Sequence, residues 1–145
     1  LMLAAARWSW GFEELLKALP GSEPGSSVWG DEAIRELLKA GAEVNARADN
    51  GYTALMWAAV KGGKRAIREL LKAGADIEAR NNEGRTVLME AAHGGNTKAI
   101  IELLKAGADI EARDNEGKTA FDVWQWEGGE WETEGYQIIS DLLRP

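Results

Sequence analysis

The chain repeats itself every 33 residues, and no other feature of it restricts the fold as tightly. Leu70–Arg80 reads LLKAGADIEAR, and Leu103–Arg113 reads LLKAGADIEAR again. Leu37–Arg47 reads LLKAGAEVNAR, identical at eight of eleven positions. The residues ahead of each copy repeat too. NGYTALMWAAVKGG (Asn50–Gly63) matches EGRTVLMEAAHGGN (Glu83–Asn96), and EGKTAFDVWQWEGG begins a third start at Glu116. A unit this short cannot bury its apolar side alone. It must stack on copies of itself, so the period implies a solenoid rather than a closed globule.

One unit can be read residue by residue. Thr53 is a good helix N-cap, its hydroxyl accepting from an otherwise orphaned backbone N–H. Leu55, Ala58 and Ala59 then give a short helix with small side chains, which lets neighbours approach closely. Gly62–Gly63 ends it, because a helix C-terminus often needs the left-handed conformation that glycine tolerates. Ala66, Ile67, Leu70 and Leu71 place a second helix's apolar face at 3–4 spacing, with Lys64, Arg65, Arg68 and Lys72 opposite. Gly74 stops that helix, and Ala75–Gly84 reads as an extended loop with a polar tip.

These units resemble ankyrin repeats. The resemblance rests on G-x-T-x-L-x-x-A-A (Gly51–Ala59, Gly84–Ala92) and on L-L-x-x-G-A-[DE]-[IV] in three copies, and covers about 30–145, with 1–10 aligning more weakly. It implies an all-α solenoid of about four helix–turn–helix units whose hairpin tips project sideways, and a protein-binding rather than catalytic role. The sequence departs from the family's T-P-L-H: TALM (Thr53–Met56), TVLM (Thr86–Met89) and TAFD (Thr119–Asp122) lack its Pro and its loop-tying His. Glu78 and Glu111 stand where Asn is common, and Asn45 alone retains it. These changes put the packing of the loops in question, not the fold. Copies this similar arise by design or by recent duplication, so an engineered scaffold or binder without a natural partner stays open.

The two ends are irregular. Aligning LMLAAAR (Leu1–Arg7) with LMWAAVK (Leu55–Lys61) makes Leu1 part of a first inner helix, with Asp31–Ala40 as its outer helix. Between them, residues 9–29 form an insertion that holds an amphipathic stretch, Phe12–Leu19, and the loop PGSEPGSS. In the last repeat, Ile138–Ile139 and Leu142–Leu143 align with Ala66–Ile67 and Leu70–Leu71, which requires an insertion near 130–135. The single domain, 1–145, thus divides into repeat 1 (1–48), repeat 2 (49–81), repeat 3 (82–114) and a C-terminal capping repeat (115–145). A chain that opens on Leu also fits a piece of something longer.

Seven of the eleven aromatic residues are Trp. Trp8, Trp10 and Trp29 accompany the first insertion, and Trp124, Trp126 and Trp131 the second. Trp57 alone lies in a regular repeat. Terminal repeats lack a neighbour, so large side chains there can serve as caps. Indoles are equally favoured as binding anchors. Both readings stand. With helix pairs stacked at about 10 Å, the insertions lie roughly 30 Å apart and bracket a trough floored by Trp57, Lys61, Glu90 and His93. A small apolar ligand held between the Trp-rich insertions is a third reading. The hairpin tips form the second candidate surface: Asp49, Asn50 and Tyr52, then Asn82, Glu83 and Arg85, then Asn115, Glu116 and Lys118.

Other functions lose ground on the residues themselves. No G-x-G-x-x-G follows a strand pattern, and no G-x-S-x-G is present. Gly62–Arg65 lacks the spacing of a phosphate loop. His93, the one histidine, could act as a base but reads as a solvent-facing residue at a helix exit, and Glu90 has no evident desolvated pocket for acid–base work. We therefore expect no enzyme, no cofactor and no metal. With no Cys there is no disulfide or thiolate site. The basic stretch Lys61–Lys72 is confined to one repeat, which argues against a nucleic-acid track. No run approaches a membrane span. The net charge of −7 is uneven: seven acids and two bases follow residue 115, leaving −2 for everything before. A protein partner with a basic surface is expected, bound by a cytoplasmic monomer and with inhibition of that partner as one use.

Overall fold

A computed structural model describes residues 34, 35, 38–127 and 134–144, the side chains of 127 and 134–136 excepted. The central residues of both expected insertions, with Trp8, Trp10, Trp29 and Trp131, lie outside the described residues, as do the expected first inner helix and half of its outer partner. Ile34, Arg35, Leu38 and Lys39 are helical.

Six further helices follow: α1 (Ala54–Lys61), α2 (Lys64–Lys72), α3 (Val87–His93), α4 (Thr97–Lys105), α5 (Ala120–Glu127) and α6 (Glu134–Leu143). They form two layers. In one, α1 packs on α3 and α3 on α5; in the other, α2 packs on α4 and α4 on α6. Among the described residues the only extended pairing is the single bridge Arg80–Thr86. The fold is an all-α repeat stack.

Each start follows from its cap. Thr53 and Thr86 accept from Met56 and Met89 backbone N–H. In the last copy the TAFD departure builds a reciprocal cap instead. Asp122 N–H donates to Thr119 Oγ1, while Thr119 N–H and its hydroxyl both donate to Asp122 Oδ2 at 2.9 Å. Gly62 ends α1 with φ +73°, its N–H and that of Gly63 returning to the last carbonyls.

The core is a ladder of equivalent positions: Leu55 and Leu88, Met56 and Met89, Ile67 and Ile100, Leu70 and Leu103 are all fully buried. The apolar face of α2 is Ala66, Ile67 and Leu70, and that of α4 is Ala99, Ile100 and Leu103. On α6 the inward residues are Ile139, Ser140 and Leu143, with Ile138 49% exposed. The spacing matches, but one residue later than the sequence alignment placed it. Two adjacent apolar pairs, 138–139 and 142–143, make both registers apolar, and the small Ser140 fits the crowded position.

Candidate functional site

The hairpin tips are built from buried polar side chains just ahead of them. Asn81 Oδ1 accepts from the N–H groups of Glu83 and Arg85, and Asp114 Oδ1 from those of Glu116 and Lys118. In the first tip this position is Ala48, and Asn50 Oδ1 caps the turn by accepting from Tyr52 N–H at 3.1 Å. The sequence reading missed Asn81 and Asp114. Their signal was a polar residue immediately before a tip at the same phase of the repeat.

The tips are then tied to one another at the repeat spacing. Asn82 N–H donates to Asn50 O and Asn115 N–H to Glu83 O, both at 3.1 Å. The amide side chains of Asn82 and Asn115 donate to Asp49 O and Asn82 O. Arg47 and Arg80 guanidiniums reach Arg80 O and Arg113 O one repeat on. The missing family His is thus replaced by an asparagine–arginine ladder. Glu78 also keeps its predecessor's role. Asn45 Oδ1 accepts from Asp76 N–H at 2.7 Å, and Glu78 Oε1 accepts from Asp109 N–H at 2.8 Å. What Glu cannot do is donate, as Asn45 does to Gly74 O.

Of the expected binding residues at the tips, Asp49, Asn50, Asn82, Glu83, Asn115 and Glu116 are exposed, while Tyr52, Arg85 and Lys118 are half-buried. Two tip acids are already neutralised within their own hairpin: Glu83 Oε2 lies 3.2 Å from Arg85 Nε, and Glu116 Oε2 lies 2.8 Å from Lys118 Nζ.

The trough floor differs from expectation. Lys61 and His93 are exposed, but Glu90 is not part of an accessible floor: it is 0% exposed. Its carboxylate accepts from Tyr52 Oη at 2.5 Å and Asn81 Nδ2 at 3.0 Å, so it braces one tip against the next. Burial, with the facing Glu90 carboxylate next, holds the Tyr52 phenol protonated well above the usual tyrosine range. Trp57 stacks obliquely on Tyr52 with ring centroids 5.0 Å apart. Its Nε1 is buried and meets no acceptor among the described residues.

The tryptophans of α5 part company. Trp124, expected on the binding surface, is only 6% exposed and packs on Phe121 at 5.8 Å between centroids. It belongs to the core, at the place that Ala58 and Ala91 hold in the preceding repeats. Trp126, half a turn away, is 78% exposed. It sits at the phase of Val60 and His93. The described indoles therefore do not converge on one cavity.

The family model for ankyrin repeats, in three copies, matches residues 1–81 and 26–114. The chain belongs to the ankyrin-repeat family. Ankyrin repeats are generic protein–protein interaction modules and typically carry no enzymatic activity. No curated protein matches the chain. Among the described residues no helix is long and apolar enough to cross a membrane.

Proposed function

We propose that this chain binds a protein partner along the edge formed by its hairpin tips and the exits of its inner helices, with Trp126 as the principal anchor. The observation that carries the reading is the 78% exposure of that indole, two residues from a Trp that the same helix buries. A large apolar side chain held in water on a rigid, capped helix loses little freedom on binding and gains its full burial. Lys61 and His93 extend the surface along the stack, and Asp49, Asn50, Glu83 and Glu116 fix register at the tips. The partner's contact surface is basic. Five of the seven net negative charges fall after residue 115, and with Glu83 and Glu116 already paired, the attraction comes from the C-terminal end rather than the tips. The protein acts as a monomer without chemistry of its own, and occlusion of the partner's surface is the consequence of binding.

A photo-crosslinking residue at position 93, which shares the repeat phase of Trp126 and is exposed, tests this against the same residue at position 98, on the outer helix α4. A partner crosslinked from 93 and not from 98, with the crosslink lost when Trp126→Ala is added, supports the reading. Equal crosslinking from both positions, or crosslinking from 93 unchanged by Trp126→Ala, removes it.

A further inference from the structure

Asn followed by Gly occurs once in this chain, at Asn50–Gly51, on the tip of the first described hairpin. We propose that this pair is a site of spontaneous deamidation whose rate is set by opening of the tip, making it a covalent record of inter-repeat unstacking.

The chemistry needs only water and hydroxide. The Gly51 backbone nitrogen gives its proton to hydroxide and attacks Asn50 Cγ. The new N–Cγ bond closes a five-membered succinimide, and the side-chain nitrogen leaves as ammonia with a proton from water. Water then opens the ring at either carbonyl, giving aspartate or isoaspartate; no electrons change hands. Glycine offers no side chain to hinder ring closure, whereas Asn82 and Asn115, at neighbouring tips, are each followed by Glu.

In the stacked tip every reacting group is held. Gly51 N–H donates to Ala48 O at 2.8 Å, and Gly51 is buried, so its proton is screened from hydroxide. Its φ of +81° leaves no room above it: a Cβ there would lie 2.7 Å from Asn82 N and Oδ1 and 2.9 Å from Arg47 Nη2. Asn50 O accepts from Asn82 N–H at 3.1 Å, and Asn50 Oδ1 from Tyr52 N–H at 3.1 Å. Freeing the nucleophile therefore requires lifting the tip away from Asn82, which belongs to the next repeat. Local opening of this kind sets how often the reaction can start. Isoaspartate routes the main chain through an extra carbon, so the product tip cannot restore the Asn50–Asn82 register, and the change is one-way. This inference rests on the tip geometry and not on the binding reading.

The test follows the full chain by peptide mapping in mildly alkaline buffer, native and in urea, reading the amide-to-acid mass gain and locating isoaspartate by fragmentation. Asn50 converts first, and at least about ten-fold more slowly in the native chain than in urea. Asn82→Ala, which removes the amide bond to Asp49 O at 2.8 Å and leaves Asn50–Gly51 intact, speeds the native reaction several-fold and leaves the urea rate unchanged. Equal native and urea rates overturn the proposal, as does conversion of Asn82 or Asn115 as fast as Asn50, or an Asn82→Ala native rate equal to that of the unaltered chain. The native–urea comparison on the unaltered chain decides the matter even where Asn82→Ala fails to fold.

Discussion

Arg68 clamps Glu102 across 34 residues of sequence, with Nε 2.8 Å from Oε2 and Nη2 3.0 Å from Oε1. Arg35 reaches Glu69 in the same way one repeat earlier, at 3.1 Å. This diagonal runs along the outer layer and fixes which repeat stacks on which. It stops after Glu102, because the residue at Arg68's phase in α4 is Ile101. A planar guanidinium meeting a carboxylate with two parallel bonds gives orientation as well as attraction.

The clamp sets a pH dependence. The hydrogen bonds from Arg68, helped by its charge and those of Lys64 and Lys105, hold the Glu102 carboxyl below the usual carboxylate range against the effect of burial. The Arg35 bond does the same for Glu69. A carboxyl whose folded pKa is depressed stabilises fully above its unfolded value, about 4.3, and loses that contribution as pH falls through the folded value. Urea denaturation at stepped pH should show stability falling below about pH 5, with a shallower fall in Glu102→Gln. Identical acid slopes for the two chains would contradict the clamp.

Two glycines separate backbone strain from crowding. Gly74 (φ +91°) has open space where a Cβ would stand, whereas a Cβ on Gly84 (φ +75°) would run into Asn115 Oδ1 and lie 2.9 Å from Asn115 N. Gly74→Ala should cost about 1–2 kcal/mol, the price of a left-handed alanine. Gly84→Ala should cost at least about 1 kcal/mol more, since it also displaces a backbone of the next tip. Chemical denaturation of both variants measures the difference.

At the Tyr52–Trp57 pair, similar deletions should have unequal effects. Tyr52→Phe strips a hydrogen bond from the fully buried Glu90 and should destabilise by about 1–3 kcal/mol. Trp57→Phe removes an N–H that has no partner among the described residues, so the lost area is offset and the net effect should stay within about 1 kcal/mol. The two unfolding midpoints, measured side by side, check the ranking.

The helix caps and the core ladder were legible because each depends on a few residues at fixed spacing: Thr53 and Thr86, Gly62, and the leucine–isoleucine faces of α2 and α4. The candidate site was less legible, for identifiable reasons. Trp57, Glu90 and Val123 share one phase of the repeat, yet a half-buried indole, a buried carboxylate and a core valine occupy it, because Tyr52 and Asn81 reach from the tips to cover Glu90. Trp124 and Trp126 look alike in sequence, and only their phase on α5, which turns Trp124 in beside Phe121 and Trp126 out to solvent, separates them. In α6 the pairs Ile138–Ile139 and Leu142–Leu143 fit two registers, and the packing of a serine selects between them.

Trp124 and Trp126 should also differ in what their loss does. Trp124→Ala opens a cavity and should cost about 3–5 kcal/mol. Trp126→Ala removes a side chain that is 78% exposed and should stay within about 0.5 kcal/mol of the unaltered chain by thermal or chemical denaturation.

The most direct test of the binding account is the affinity of Trp126→Ala for the partner recovered by crosslinking at position 93, titrated calorimetrically beside the unaltered chain. An anchoring indole worth at least about 2 kcal/mol predicts binding weakened roughly 30-fold or more with folding intact. Equal affinity of the two chains would contradict the account.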